Sequence, residues 1–270
     1  MIKIENIEVV GWEHAIRGMR NPKNSWSLSD SQYCTDSCDD CDNFSSCNTN
    51  SEPYFKRFWE EDPANTNYAI GPKDHKLMMS LAKGGPVHAK YRRMITVYMD
   101  ITAPLYWWKE ADKYQVGTVT NSCSTMHKIH DKEFTLDDFS CEHLMNEWKE
   151  EELVCFDGEY SYAAKEILQD VIIPTLNQFR HKYLEAKTKP MKEESKRAEL
   201  MKKFWWQMIQ LLPSSYNQKR TVMLNYEVLH NMYFSRKNHK LDEWREFCKF
   251  IESLPYSELI TCKETANEEQ

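Results

Sequence analysis

Apolar and polar residues alternate in the stretch that we expect to lie at the centre of the fold. The alternation from 95 to 101 has a period of two, which predicts a half-buried strand. Pro104 stands where a first helical turn would begin, a position that tolerates proline because its N–H has no helical partner. Leu105, Trp108 and Ala111 follow at spacings of three, so they predict one face of a short helix.

The remaining periodicity is mostly helical. An N-terminal strand with a slip midway (2–9) precedes a short helix at 12–19. Apolar residues at spacings of three and four predict a long helix over 161–186, kinked by Pro174, and a second long helix that ends at Leu212-Pro213. Residues 221–225 alternate as a short strand, and an apolar helical stripe follows it to Arg236.

Composition limits the class of protein. The 270 residues suffice for one large domain or two small ones, and 41% hydrophobic content is typical of a folded chain. Only seven glycines and the lack of a Gly-rich phosphate loop argue against a dinucleotide-binding fold. The net charge of −7 argues against a general nucleic-acid binder. Without a signal peptide or an apolar run of about 20 residues, we expect a cytoplasmic protein.

Residues 30–68 form a polar, Cys-rich insertion. Its cysteines have the spacing C-x3-C-x2-C-x5-C and are Cys34, Cys38, Cys41 and Cys47. Four thiols in a segment that cannot form its own core predict a zinc site or an iron–sulfur cluster. Two alternatives stay open: the first three cysteines also have the spacing of a radical S-adenosylmethionine cluster, and the segment could be an exposed insertion with ordinary thiols.

Two places in the chain suggest a binding site. The stretch KYQVGTVTNSCSTMHK, which begins at Lys113, is dense in polar groups directly after a predicted strand and helix, and it is either a binding site or a polar turn. Arg236 ends an otherwise apolar stripe, where its planar fork would suit a phosphate. The alternative is a helix-end arginine that bonds its own C-terminal carbonyls or a neighbouring acid.

Both places resemble motifs of the flavin-dependent thymidylate synthases (ThyX). The first ThyX motif is an Ala-Pro break, then Arg-His-Arg, seven residues and Ser. Ala103-Pro104 stand at the break, the triplet 113–115 stands at Arg-His-Arg, and Cys123 stands at the serine, without a gap. In the second motif a Leu-Pro and a strand lead to Asn-x-Arg-Ser-Leu-x-Asn, with an arginine five residues later. Its matching residues here are Pro213, Asn225, Leu229, Asn231 and Arg236, again in register.

The resemblance covers most of the chain except the insertion, and it implies a fold, an activity and a site. The fold is α+β, a twisted, largely antiparallel sheet packed by long helices, in a single domain over 1–270. The activity is reductive methylation of dUMP to dTMP with FAD, methylenetetrahydrofolate and NADPH, in a homotetramer. The implied catalytic residue is Cys123. The implied cofactor-binding residues are Lys113, Tyr114, Gln115, Asn225 and Asn231, and the implied substrate-binding residues are Asn121, Ser124, Thr125 and Arg236.

Several motif positions carry other chemistry than the family has. Tyr114 and Gln115 replace a histidine and an arginine, Thr125 replaces a substrate arginine, and Glu227 reverses a charge near the expected flavin site. A charged hydrogen bond to a phosphate contributes about 1.5–3 kcal/mol, so we expect these exchanges to weaken FAD binding. Two further hypotheses follow: an enzyme on a nucleotide that uses Cys123 as nucleophile without tight FAD, and a non-enzymatic nucleotide-binding or structural oligomer.

Overall fold

The computed structural model describes residues 1–33, 68–146, 153–156, 160–190 and 193–264. Its contacts divide the chain into two compact units. Unit 1 comprises 1–3, 102–111 and 121–220, and unit 2 comprises 4–101, 112–120 and 221–270. The single domain expected from the sequence stays a prediction, and most of the Cys-rich insertion lies outside the described residues.

The described strands form one four-stranded sheet and two strand pairs. The strands are β1 (Lys3–Val10), β2 (Gln32–Tyr33), β3 (Tyr68–Ala69), β4 (Thr96–Pro104), β5 (Val119–Ser122), β6 (Leu153–Phe156), β7 (Tyr160–Ala163) and β8 (Asn217–Asn225). The four-stranded sheet has the order β1-β4-β8-β5, and β2–β3 and β6–β7 pair antiparallel. The structure thus confirms the predicted α+β class of helices with an antiparallel sheet.

The helices account for most of the remaining described chain. They are α1 (Trp12–Arg20), α2 (Pro72–Lys83), α3 (Leu105–Ala111), α4 (Thr125–Lys128), α5 (Ala164–Glu166), α6 (Ile173–Thr188), α7 (Glu194–Leu211), α8 (Tyr226–Arg236), α9 (Asp242–Glu252) and α10 (Glu258–Thr261). Short 3-10 turns lie at Asn21–Lys23, Trp26–Leu28, Ala89–Met94 and Leu136–Asp138, and a π-helical segment, Ile167–Ile172, joins α5 to α6. No described helix is long and apolar enough to cross a membrane.

The alternation that predicts the central strand matches its burial. Ile95, Val97, Met99 and Ile101 are each at most 1% exposed, whereas Tyr98 between them is 40% exposed. Asn6 has a φ of 52° in the middle of β1, which accounts for the predicted slip in that strand. The period of two therefore predicts β4 correctly. The slip in that period near the N-terminus likewise predicts the irregular backbone of β1.

The long helix predicted over 161–186 is present, but it begins later than predicted. Residues 161–163 belong to β7, so the helix predicted from 161 begins at Ala164 instead. Pro174, which lacks an N–H, is the second residue of α6, which follows the π-helical segment, and such segments interrupt the regular ladder of hydrogen bonds. Apolar residues of this helix pack into the hydrophobic core of unit 1. The buried residues of that core are Ile129, Phe134, Phe139, Leu168, Ile173, Leu176 and Met208.

Candidate functional site

In unit 2 the loop 112–118 contacts the C-terminal end of α8. Arg236 donates from Nε to the Tyr114 hydroxyl at 3.0 Å. The guanidinium carbon of Arg236 lies 5.1 Å from the centre of the Trp244 ring and 5.7 Å from that of Tyr114. We call these three residues the Arg236 cluster. Because two aromatic side chains orient the guanidinium, the cluster can bind an anion such as a phosphate.

The same loop also contacts the N-terminal end of α8. Asn225 is the N-cap residue of that helix, since its Oδ1 accepts the Val228 N–H at 3.0 Å. Gly117 has a φ of +78°, and a Cβ there would lie 2.7 Å from Asn225 Nδ2. The loop thus packs along α8 from Asn225 to Arg236, two of the residues that the second motif identifies.

The other cofactor-binding residues implied by the motifs lie at the surface of unit 2. Lys113, Gln115 and Asn231 are exposed. Lys113 brings a compact positive charge and Gln115 a neutral amide, whereas the family motif has an arginine at each position. Their assignment to a cofactor stays a prediction.

Glu227 has a different environment from the one the sequence predicts. Its side chain is buried, and its Oε2 lies 3.6 Å from Nη1 of Arg92, which is fully buried. A buried charge is costly unless it is paired, so this contact offsets the charge that Glu227 was expected to add near the flavin site. Sequence reasoning did not identify Arg92, although a charge reversal at position 227 is itself a signal that a cation lies elsewhere in the core.

In unit 1 the segment 121–125 presents an accessible thiol on a fixed backbone. The Cys123 N–H donates to the Lys219 carbonyl at 2.9 Å, and the Cys123 carbonyl accepts from Gln218 Nε2 at 2.9 Å. Its thiol is reduced and exposed. Burial, by contrast, raises the pKa of the Cys248 thiol to about 11, which keeps that thiol protonated at neutral pH.

The substrate residues implied around Cys123 differ in what their side chains do. Ser124 is the N-cap residue of α4, with its Oγ accepting the His127 N–H at 3.0 Å. Asn121 is exposed on β5, and Thr125 is the half-buried first residue of α4. Asn121, Cys123, Ser124 and Thr125 are neighbours in sequence, and their assignment to a substrate stays a prediction.

Unit 1 also contains a polar group that sequence reasoning missed. The buried Gln218 accepts from Arg220 Nε through Oε1 at 3.0 Å, and the Arg220 guanidinium carbon lies 4.1 Å from the centre of the Trp108 ring. The Trp108 indole N–H donates to the Gln218 carbonyl at 3.0 Å. The missed signal was the length of β8, which begins at Asn217 and not at Thr221, so that Gln218 and Arg220 continue the alternation.

The predicted metal site lies outside the described residues. Cys34, Cys38, Cys41 and Cys47 all fall within 34–67, so their zinc or iron–sulfur assignment stays a prediction. Within the described ranges, no group of three or more His, Cys, Asp or Glu side chains could hold a metal ion.

Comparison with solved structures identifies the fold. The crystal structure of Thymidylate Synthase X (ThyX) from Helicobacter pylori with FAD and dUMP is similar over 96% of each chain, with a TM-score of 0.53 and 14% identity. A second crystal structure of this enzyme with FAD and dUMP gives 0.51 and 14%, over 95% of this chain and 96% of that one. The chain has a ThyX-like fold. At such low identity the similarity shows the fold alone.

The other comparisons do not extend this ThyX-like assignment. The UMP/dUMP methylase PolB from Streptomyces cacaoi, bound with 5-Br dUMP, has a TM-score of 0.45 and 12% identity over 94% of this chain and 89% of that one. No family model matches the sequence. No curated protein matches it either.

Proposed function

We propose that this chain binds a pyrimidine nucleoside monophosphate of the dUMP class and acts on it. The observation that carries the proposal is the Arg236 cluster, in which Tyr114 and Trp244 orient a guanidinium on a ThyX-like fold. A guanidinium matches the oxygens of a phosphate. Of the two rings, the half-buried Tyr114 offers a surface on which a planar base can stack, whereas Trp244 is fully buried. The neighbouring H. pylori ThyX crystallised with dUMP supports this choice of ligand.

The reaction that the motif register implies is reductive methylation of dUMP to dTMP. FAD would supply the hydride when bound, methylenetetrahydrofolate the carbon, and NADPH the reduction of FAD. Of the chain's own residues, Arg236 of unit 2 would bind the phosphate of the nucleotide. The motif register alone assigns Asn121, Ser124 and Thr125 to the substrate. FAD in the H. pylori structures supports this candidate.

The residues at the flavin positions do not fit a tightly held FAD. Its diphosphate needs positive charge, yet Gln115 is neutral and Glu227 is acidic and already paired with Arg92. The Asn225 Oδ1 and the Tyr114 hydroxyl are engaged inside the protein. This misfit favours a second candidate, a nucleotide-binding homologue with altered or lost catalysis, in which the exposed Cys123 thiol would be the nucleophile.

Calorimetric titration with dUMP tests the binding proposal. We expect Arg236→Ala to weaken dUMP binding about ten- to hundredfold, because the substitution removes one charge-assisted hydrogen bond to the phosphate. Arg245→Ala is a matched control, since Arg245 is an exposed arginine on α9 that pairs with Asp242. A wild-type chain that binds no pyrimidine nucleotide, or an Arg236→Ala variant with unchanged affinity, would contradict the proposal.

Absorbance spectra separate the two candidates. A flavin spectrum retained after FAD and dUMP are added and unbound ligand is removed would support reductive methylation. Bound dUMP without flavin, together with loss of any turnover in Cys123→Ala, would support the second candidate. The same preparation can be examined for zinc and iron by elemental analysis and for the expected homotetramer by sedimentation.

A further inference from the structure

A buried arginine of unit 2 lacks acceptors for part of its guanidinium. Arg92 is fully buried, and neither its Nε nor its Nη1 donates a hydrogen bond to any group in the described residues. Oε2 of Glu227 lies 3.6 Å from Nη1, which is close enough for an ion pair but long for a hydrogen bond. Because a buried N–H group without an acceptor costs free energy, this site can accommodate a further oxygen favourably.

The third nitrogen of the Arg92 guanidinium contacts a thiol. Nη2 donates to Cys262 Sγ at 3.2 Å, and the same sulfur lies 3.8 Å from the Leu259 carbonyl, to which its own proton is donated. Cys262 is a free, half-buried cysteine directly after α10, whereas Cys248 of the same unit is only 3% exposed. Since a thiol sulfur is a weak acceptor, this bond satisfies the guanidinium poorly.

Oxidation of this thiol would supply the acceptor that Arg92 lacks. With hydrogen peroxide, the sulfur attacks one peroxide oxygen, the O–O bond breaks, and the other oxygen leaves as water with the thiol proton. The sulfur is thereby oxidised by two electrons to a sulfenic acid, and the peroxide is reduced. The new oxygen is bonded to an atom that already lies 3.2 Å from Nη2, so the guanidinium can donate to it and can offset the negative charge that develops on the departing oxygen.

We propose that Cys262 is a peroxide-sensitive modification site, with Arg92 as the residue that stabilises the oxidised sulfur. The inference is independent of the proposed function, since neither residue belongs to the Arg236 cluster or to the segment 121–125. The competing role of Cys262 is structural: its thiol would only fill space at the end of α10 and accept one bond. Such a thiol would be oxidised no faster than another half-buried cysteine.

Peptide mass spectrometry of the full chain tests the proposal, after brief exposure to hydrogen peroxide in the presence of dimedone, which labels sulfenic acids. Cys141 is the matched control, because it is also half-buried but accepts no hydrogen bond from a cation in the described ranges. We expect dimedone to label Cys262 about tenfold faster than Cys141, the effect of one charge-assisted hydrogen bond on the rate. Buried Cys248 should stay unlabelled. Equal rates at Cys262 and Cys141, or no label at Cys262, would overturn the proposal.

A variant and a stability measurement test the role of Arg92. Arg92→Lys keeps the charge but loses the planar fork, so the labelling rate of Cys262 should fall toward that of Cys141, whose own rate should not change. An unchanged rate at Cys262 in the folded variant would exclude Arg92.

The stability measurement needs no variant of the buried arginine. Oxidised wild type should unfold at a higher urea concentration than reduced wild type, because the added oxygen accepts from Arg92, whereas Cys262→Ser after the same peroxide treatment should not gain stability. An equal or lower midpoint for the oxidised wild type would overturn the stabilising contact with Arg92.

Discussion

His230 lies buried on α8, among charges that sequence periodicity does not reveal. Its Nδ1 lies 2.6 Å from the Ile260 carbonyl and its Nε2 lies 3.4 Å from Glu264 Oε1. Burial lowers the pKa of His230 below its ordinary value, and the Arg92 cation lowers it further, although the Ile260 carbonyl and the Glu227 and Glu264 carboxylates oppose this. The folded state therefore favours the neutral ring.

This lowered pKa predicts a dependence of stability on pH. The unfolded chain binds the His230 proton more readily than the folded chain, so the stabilisation is fully present above about pH 6.5 and is lost as pH falls toward the lower folded pKa. We expect His230→Gln to reduce the loss in free energy of unfolding between about pH 7 and pH 5, by at most about 1.4 kcal/mol per pH unit. Urea unfolding at several pH values measures this, and parallel curves for wild type and variant would refute it.

The sequence singles out individual residues more readily than it predicts the surroundings of their side chains. Motif register singled out Cys123 and Arg236, and the structure places the first at the surface and the second against aromatic rings. The bond from Arg236 to Tyr114 joins residues 122 positions apart, and no local pattern encodes such a contact. The pairing of Glu227 with Arg92 was hidden for the same reason, because it depends on tertiary packing.

At the scale of elements, the loop 112–118 depends on glycine at one position. Gly117 adopts a φ of +78°, which side chains rarely adopt, and it lies against the amide of Asn225, the N-cap residue of α8. Gly85 has a similar φ of +86°, but the nearest atom to a Cβ there is Glu264 Oε2 at 3.8 Å. A side chain at either position would meet the same backbone strain, but only at position 117 would its Cβ also make a close contact.

Replacing these glycines separates strain from contact. We expect Gly85→Ala to lower the free energy of unfolding by about 1–2 kcal/mol, the cost of a left-handed backbone for alanine. Gly117→Ala should cost more, because its Cβ would lie 2.7 Å from Asn225 Nδ2, and it should also weaken dUMP binding by displacing the loop from α8. Urea unfolding and dUMP titration of both variants measure this. Equal losses of stability would show that the contact with Asn225 is unimportant.

Element boundaries were the least predictable part of the fold. The period of two identified β4, but it identified β8 only from Thr221, because Gln218 and Arg220 are polar residues in a strand whose pattern reads as a turn. The helix predicted from 161 begins at Ala164, since the pairing of β7 with β6 takes up residues 160–163. Strand pairing decides both limits, since β7 pairs with the preceding β6 and β8 lies between β4 and β5 in the sheet, and hydrophobic spacing does not report such pairing.

At the scale of the whole molecule, the two motifs predicted the ThyX-like fold that the structure shows. They could do so because each motif joins a strand to a helix, and such junctions fix the framework of a fold. The chemistry attached to that framework does not follow from the fold, because the exchanges at 113–115, 123 and 227 change side-chain chemistry within the same framework. Fold and cofactor are therefore separate questions for this chain.

Ligand-dependent stability of the whole chain addresses the cofactor question. A ligand that binds only the folded state stabilises it by about 2.7 kcal/mol at about 100 times its Kd. We expect dUMP to raise the urea midpoint with an unchanged slope, deoxyuridine to raise it less at equal concentration, and FAD to add nothing in the presence of dUMP. The reason is that Arg236 offers positive charge for a monophosphate, whereas Glu227 and Gln115, which stand where the motif has arginines, supply none for a flavin diphosphate. An FAD-dependent rise as large as that with dUMP would contradict the misfit at Glu227 and restore the flavin-dependent reaction as the better supported function.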